Sequence, residues 1–165
     1  MSYTFTEVQT FSIDDDFDSI YADSLSDIEG GTVKFKSDAT DAEKRNRIIQ
    51  LMNEQNYSNI KNVIVTKDDT PCLYIQGFYQ DNTYTWANVL VGKINNSKAW
   101  TWTSAFHEAN KSWIQSLGGT KFALECIKDS RIDTYFTQAT QSNICLGTLT
   151  TMPLDDGMIR MTWEY

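Results

Sequence analysis

Apolar and polar side chains alternate from Tyr3 to Phe11, through Tyr3, Phe5 and, after a slip of one, Val8 and Phe11, which predicts an opening strand. The period then changes. Phe17, Ile20, Tyr21, Leu25 and Ile28 recur at helical spacing behind Ser12 and Asp15, which read as a capping box, and Gly30-Gly31 reads as the stop. Asp14, Asp15 and Asp16 fall in the first turn, where the positive end of the helix dipole favours carboxylates. A second capping box, Thr40 with Glu43, precedes Ile48, Ile49, Leu51 and Met52 and predicts a helix running to about Gln55.

Three short runs with period-two or β-branched character follow: Val63 to Thr66, Cys72 to Tyr79 and Tyr84 to Val91. They are separated by Asp68-Asp69-Thr70-Pro71 and by Asp81-Asn82, so they predict an antiparallel meander with tight turns, Pro71 sitting harmlessly at a strand start. Behind Thr103-Ser104 comes the clearest amphipathic stripe in the chain, Phe106, Ala109, Trp113, Ile114 and Leu117, closed by Gly118-Gly119. Lys121 to Ile127 is mostly apolar without alternation and predicts a central strand covered on both faces. Ser130 and Asp133 then cap a short helix bearing Ile132, Tyr135 and Phe136. The runs Asn143 to Thr151 and Met158 to Tyr165 flank Pro153-Leu154-Asp155-Asp156-Gly157 and predict a closing hairpin.

Composition narrows the function classes. The 165 residues suit one domain, 1–165, and 41% hydrophobic with 13% aromatic residues can build a core. The formal net charge of -8, from 22 acidic and 14 basic side chains, repels a phosphate backbone, and the densest basic group, Lys44, Arg45 and Arg47, reads as a solvated helix face. Nucleic acid is therefore not expected as a partner. Cys72, Cys126 and Cys145 are odd in number and widely spaced, which fits buried reduced thiols better than a disulfide framework or zinc site. Asp14, Asp16 and Asp18 have the alternation of a calcium loop, but Ser19 and Leu25 stand where that loop needs Gly and Glu, so no metal is expected. No run approaches the roughly 20 apolar residues that span a bilayer, and no basic-then-apolar leader opens the chain, so a cytoplasmic location and no membrane partner are expected.

The element order, a strand, two helices, a three-strand meander, a long helix, a strand, a short helix and a hairpin, resembles that of the GCN5-related N-acetyltransferases over essentially the whole chain. The resemblance implies an α/β (α+β) fold with a mixed, mostly antiparallel sheet and about four flanking helices. It also implies an acyl-coenzyme A co-substrate, acetyl-coenzyme A, in a gap between the strands that contain Leu90 and Cys126. The family holds the pyrophosphate on a loop of the form Gln/Arg-x-x-Gly-x-Gly/Ala. Laying Lys93 on the first position here puts Asn96 and Lys98 on the glycine positions. Leu90, Val91, Lys93, Asn96, Lys98 and the helix-opening Ser104 are the coenzyme contacts the resemblance implies. The acceptor would be the primary amine of a small molecule or peptide.

The family often uses a tyrosine after the buried strand as general acid, and Tyr135 matches in type and place; packing beside Phe136 is the alternative. Glu125, a carboxylate in an apolar strand, is the candidate general base, or else it is paired or lies at a strand edge. His107, the single histidine, falls with Asn110 and Lys111 off the Phe106 stripe and reads as a solvated helix residue. The tryptophans at 86, 100, 102 and 113 either fill the core or anchor an interface, Trp100 and Trp102 being the expected contacts for a protein partner or a second copy. The alternative to an enzyme is accordingly a protein of the same fold that has lost coenzyme binding and serves interaction. The Asn-, Asp-, Thr- and Tyr-rich composition is similar to that of small bacteriophage proteins, whose setting is the host cytoplasm or the virion.

Overall fold

The computed structural model describes residues 2–29, 35–54 and 56–165. Among these residues seven strands form one sheet: β1 (Tyr3–Val8), β2 (Ile60–Lys67), β3 (Thr70–Gln80), β4 (Thr83–Val91), β5 (Lys121–Ile127), β6 (Thr148–Pro153) and β7 (Met158–Glu164). Their spatial order is β1-β2-β3-β4-β5-β7-β6, and every neighbouring pair is antiparallel except β4 with β5. Among the described residues four α-helices flank the sheet: α1 (Asp15–Glu29), α2 (Asp41–Met52), α3 (Ser104–Ser116) and α4 (Arg131–Gln141).

The meander follows from its turns. Asp68 and Asp69, and again Asp81 and Asn82, adopt positive φ in pairs, which matches the twist of a two-residue hairpin, and Asp and Asn tolerate that region best among residues with a side chain. The helix signals are equally local. Thr40 and Glu43 form both halves of the capping box on α2, Thr103 Oγ1 accepts from Phe106 N–H to start α3, and Ser130 accepts from Asp133 N–H to start α4. Gly118, at φ +86°, ends α3 as its sequence implies.

Several boundaries differ. α1 is capped by Asp14, which accepts from Phe17 N–H at 2.9 Å, rather than by Ser12. The Gly30-Gly31 stop lies outside the described residues, as does Gln55; α2 closes at Met52 with Asn53 as its cap. β1 stops at Val8, and Phe11 instead packs face to face on Tyr74 with ring centroids 5.2 Å apart. β6 starts only at Thr148, because α4 reaches Gln141 and a loop carrying Cys145 intervenes.

The core has two parts, one on each face of the sheet. Phe17, Ile20 and Tyr21 of α1 and Ile48 and Met52 of α2 close over Tyr74 and Leu90. On the other face Phe106 and Ile114 of α3 and Phe136 of α4 close over Val63, Phe122 and Trp163. All three cysteines are buried and unpaired, and burial pushes the Cys72 and Cys145 thiols up to about 12, so they keep their protons at neutral pH.

Candidate active site

The parallel ladder between β4 and β5 runs only from Thr83↔Lys121 to Trp86↔Leu124. It stops where β4 carries an irregularity: Gln76 of β3 pairs with Asn88 but Gly77 pairs with Trp86, so Ala87 is an extra residue that bends β4 away from β5. Beyond this point residues 87–91 and 125–127 diverge, and an open cleft of about 650 Å³ fills the gap. Gly77 permits the bend, since a Cβ there would lie 2.5 Å from the Tyr84 hydroxyl.

The cleft walls are mainly apolar, with Trp86, Leu90, Val91, Leu124, Cys126 and Phe136 among them. Leu90 and Val91, the coenzyme contacts the resemblance implies on β4, both lie on this lining. The indole N–H of Trp86 is buried without a hydrogen-bond partner in the described structure. Such a donor is costly unless a ligand or water meets it.

One wall carries a polar group. Tyr135 of α4 donates its hydroxyl proton to the carbonyl of Thr101, and His107 Nε2 stands 3.0 Å from that carbonyl and 3.2 Å from the Tyr135 oxygen. A carbonyl only accepts, so Nε2 carries the imidazole proton. Burial pushes Tyr135 up to about 12 and His107 down to about 4, leaving both groups uncharged at neutral pH despite the hydrogen bonds to Thr101. His107 is only 3% exposed, which corrects its reading as a solvated residue. The buried face of α3 is Phe106, His107, Asn110 and Ile114, because α4 packs beside it and covers the flank that the apolar stripe alone leaves open.

Glu125 lines the cleft but is exposed, so β5 is not covered on both faces and the carboxylate escapes the burial cost expected of it. Its ladder partner is Arg160, whose guanidinium donates to Thr85 Oγ1 at 3.3 Å.

The loop after β4 is not a glycine-type anion cradle. Asn95 and Asn96 take positive φ in a two-residue turn closed by reciprocal Ile94 and Ser97 backbone bonds. Lys93 N–H donates to the Asp23 carboxylate at 2.9 Å, Ala99 N–H to Ser97 Oγ, and Thr101 N–H to Lys98 O. Lys93, Asn96 and Ser104 are exposed and off the cleft lining, whereas Lys98 belongs to it. Lys98 Nζ donates to Asp27 Oδ2 at 2.7 Å and to Asp23 O, and Arg131 Nη1 donates to Asp27 Oδ1 at 2.8 Å. Burial raises the Asp27 carboxyl, but Lys98 and Arg131 outweigh it and hold the group below its ordinary 3.8. Asp27 and Arg131 carry no motif, and sequence reading missed both.

Trp100 is 5% exposed and donates its indole proton to Gly92 O at 3.0 Å, so it is a core residue and not an interface anchor. Trp102 is 39% exposed and packs edge-on against Tyr135 at 5.4 Å.

No protein-family model matches the chain, and no curated protein matches it in sequence. Solved structures do match in shape. The paiA N-acetyltransferase from Thermoplasma acidophilum, solved with coenzyme A, covers 100% of this chain and 100% of its own at TM-score 0.58 and 16% identity. PseH N-acetyltransferase from Campylobacter jejuni, solved with acetyl coenzyme A, covers 98% of each chain at TM-score 0.55 and 12% identity. The ribosomal-protein-S18-alanine N-acetyltransferase from Escherichia coli covers 98% of this chain and 93% of its own at TM-score 0.53 and 13% identity. At these identities the likeness carries the fold. This chain has the GCN5-related N-acetyltransferase fold.

Proposed function

We propose that the protein is an N-acyltransferase that takes acetyl-coenzyme A in the β4–β5 cleft and passes the acetyl group to a primary amine by direct attack. The observation that carries this reading is the coincidence of three features at one point. The β4–β5 ladder ends at Trp86↔Leu124, an apolar cleft of about 650 Å³ opens there, and the Tyr135 hydroxyl stands on its wall. The residues fit the ligand: the apolar walls suit an aliphatic arm, and the facing edges of residues 87–91 and 125–127 offer backbone groups to its amides, as a sheet edge does to an added strand.

Tyr135 keeps its proton at neutral pH, and a rotation of its O–H away from the Thr101 carbonyl turns that proton toward a departing thiolate. His107 is a positioning residue, since its Nε2–H fixes the Thr101 carbonyl and the phenol in one arrangement. Glu125, exposed on the cleft wall, accepts the proton that the amine loses. Lys98, on the cleft lining, is the candidate partner of the coenzyme phosphates, whereas Lys93 and Asn96 on the loop and Ser104 at the start of α3 are exposed and would meet them only outside that lining. The test is acetyl transfer from acetyl-coenzyme A to a panel of polyamines, amino sugars and peptide N-termini. Turnover that Glu125→Gln lowers at neutral pH supports the reading, and no product from any amine contradicts it.

One observation favours the non-catalytic alternative: the loop after β4 spends its amides on its own turn and on Asp23. In that reading exposed Trp102 and Ile132 anchor a protein partner or a second copy, and light scattering would show a mass that Trp102→Ala lowers.

A further inference from the structure

The two cations on the cleft lining, Lys98 and Arg131, are already engaged by one carboxylate, and Lys98 Nζ donates to Asp23 O as well. Asp27, on α1, places one carboxylate oxygen on Lys98 Nζ and the other on Arg131 Nη1, joining the loop after β4 to the start of α4. All three residues line the cleft. The backbone around Lys98 has little left to offer an anion, because the N–H groups of Lys93, Ile94, Ser97, Ala99 and Thr101 are bonded within the protein. In a chain of net charge -8 a ligand carrying several negative charges depends on local cations. Lys98 and Arg131 are positioned to act as those cations, and a carboxylate and a phosphate present similarly spaced oxygens to a Lys and Arg pair. The Arg131 side chain is 82% exposed, so its bond to Asp27 is the kind of surface contact that a stronger anion displaces.

We propose that Asp27 is an intramolecular stand-in for a ligand phosphate: it occupies the Lys98 and Arg131 pair in the free chain and is displaced when a diphosphate-bearing ligand enters the cleft. For coenzyme A as that ligand the proposal rests on the acetyltransferase reading; for the diphosphate site itself it does not. The wild type therefore binds diphosphates more weakly than its cations allow, since each binding event must first break two ion pairs.

The experiment titrates inorganic pyrophosphate and, separately, acetyl-coenzyme A into the wild type, Asp27→Asn, Asp27→Ser and Asp27→Asn combined with Arg131→Gln, by calorimetry at low salt. Both Asp27 variants are expected to bind pyrophosphate about fivefold more tightly than the wild type, the release of one exposed and one half-buried ion pair. The added Arg131→Gln should remove the gain. Unchanged or weaker pyrophosphate binding in both Asp27 variants, or no binding to any variant, overturns the proposal. A gain for pyrophosphate without any acetyl-coenzyme A binding leaves the Asp27 site standing and removes the coenzyme reading. Acetyl-coenzyme A binding with no gain in either Asp27 variant does the reverse.

Discussion

The imidazole Nε2 of His107 lies 3.2 Å from the hydroxyl of Tyr135, 28 residues further along the chain, and both groups converge on the carbonyl of Thr101. This contact ties α3, α4 and the turn before α3 into one wall of the cleft. It gives the single histidine a structural task inside the site.

Burial moves His107 from 6.5 to about 4, and the consequence for stability has a definite sign. Above pH 6.5 the ring is neutral in both the folded and unfolded chain. Between 6.5 and 4 the unfolded chain takes up a proton that the folded one refuses, so stability falls as pH falls, by about 3 kcal/mol over that window. Urea unfolding across pH 4 to 7 checks this: His107→Gln should lose correspondingly less than the wild type over the same range.

Tyr135→Phe removes the proposed acid and keeps the ring that packs on Trp102 and Phe136. The expected result is a kcat lower by about 10²-fold with the KM for acetyl-coenzyme A little changed, measured as thiol release. A loss confined to KM would assign Tyr135 to binding instead.

Gly77 faces the β4 irregularity, where an added Cβ would meet Tyr84 Cζ at 2.5 Å and Thr85 O at 2.7 Å. Relief would push Tyr84 off its 2.8 Å bond to Lys61 O. Gly77→Ala should therefore cost about 1–3 kcal/mol in a denaturant melt. A conservative change on the exposed surface of β3, such as Thr70→Ser, should cost little.

The tryptophans separate in the same assay. Trp100→Ala should cost about 3–5 kcal/mol, because a buried indole and its bond to Gly92 O are both lost. Trp102→Ala, at a position 39% exposed that loses its edge-on contact with Tyr135, should cost clearly less, about 1 kcal/mol.

Much of the fold was legible because its signals are local. The paired Asp and Asn turns of the meander, the Thr40 and Ser130 caps and the Gly118 stop each act within a few residues. Leu90, Val91 and Tyr135, which the family resemblance singles out, all lie on the cleft lining. What escaped depends on distant partners. The extra residue at Ala87 changes no sequence pattern, yet it opens the cleft. His107 looked solvated because its cover comes from α4, and Trp100 looked available because its partner is a backbone carbonyl eight residues back. Asp27 sits in an acidic helix among similar residues; only folding brings Lys98 and Arg131 to it.

The central claim is that acetyl-coenzyme A occupies the gap between β4 and β5, and a heteronuclear NMR titration of the ¹⁵N-labelled protein reads it residue by residue. Saturable shifts at the amides of residues 87–91 and 125–127, together with the Trp86 indole N–H that lacks a partner, are the expected result. Unmoved resonances at millimolar acetyl-coenzyme A, or shifts confined to surfaces away from that gap, would contradict it.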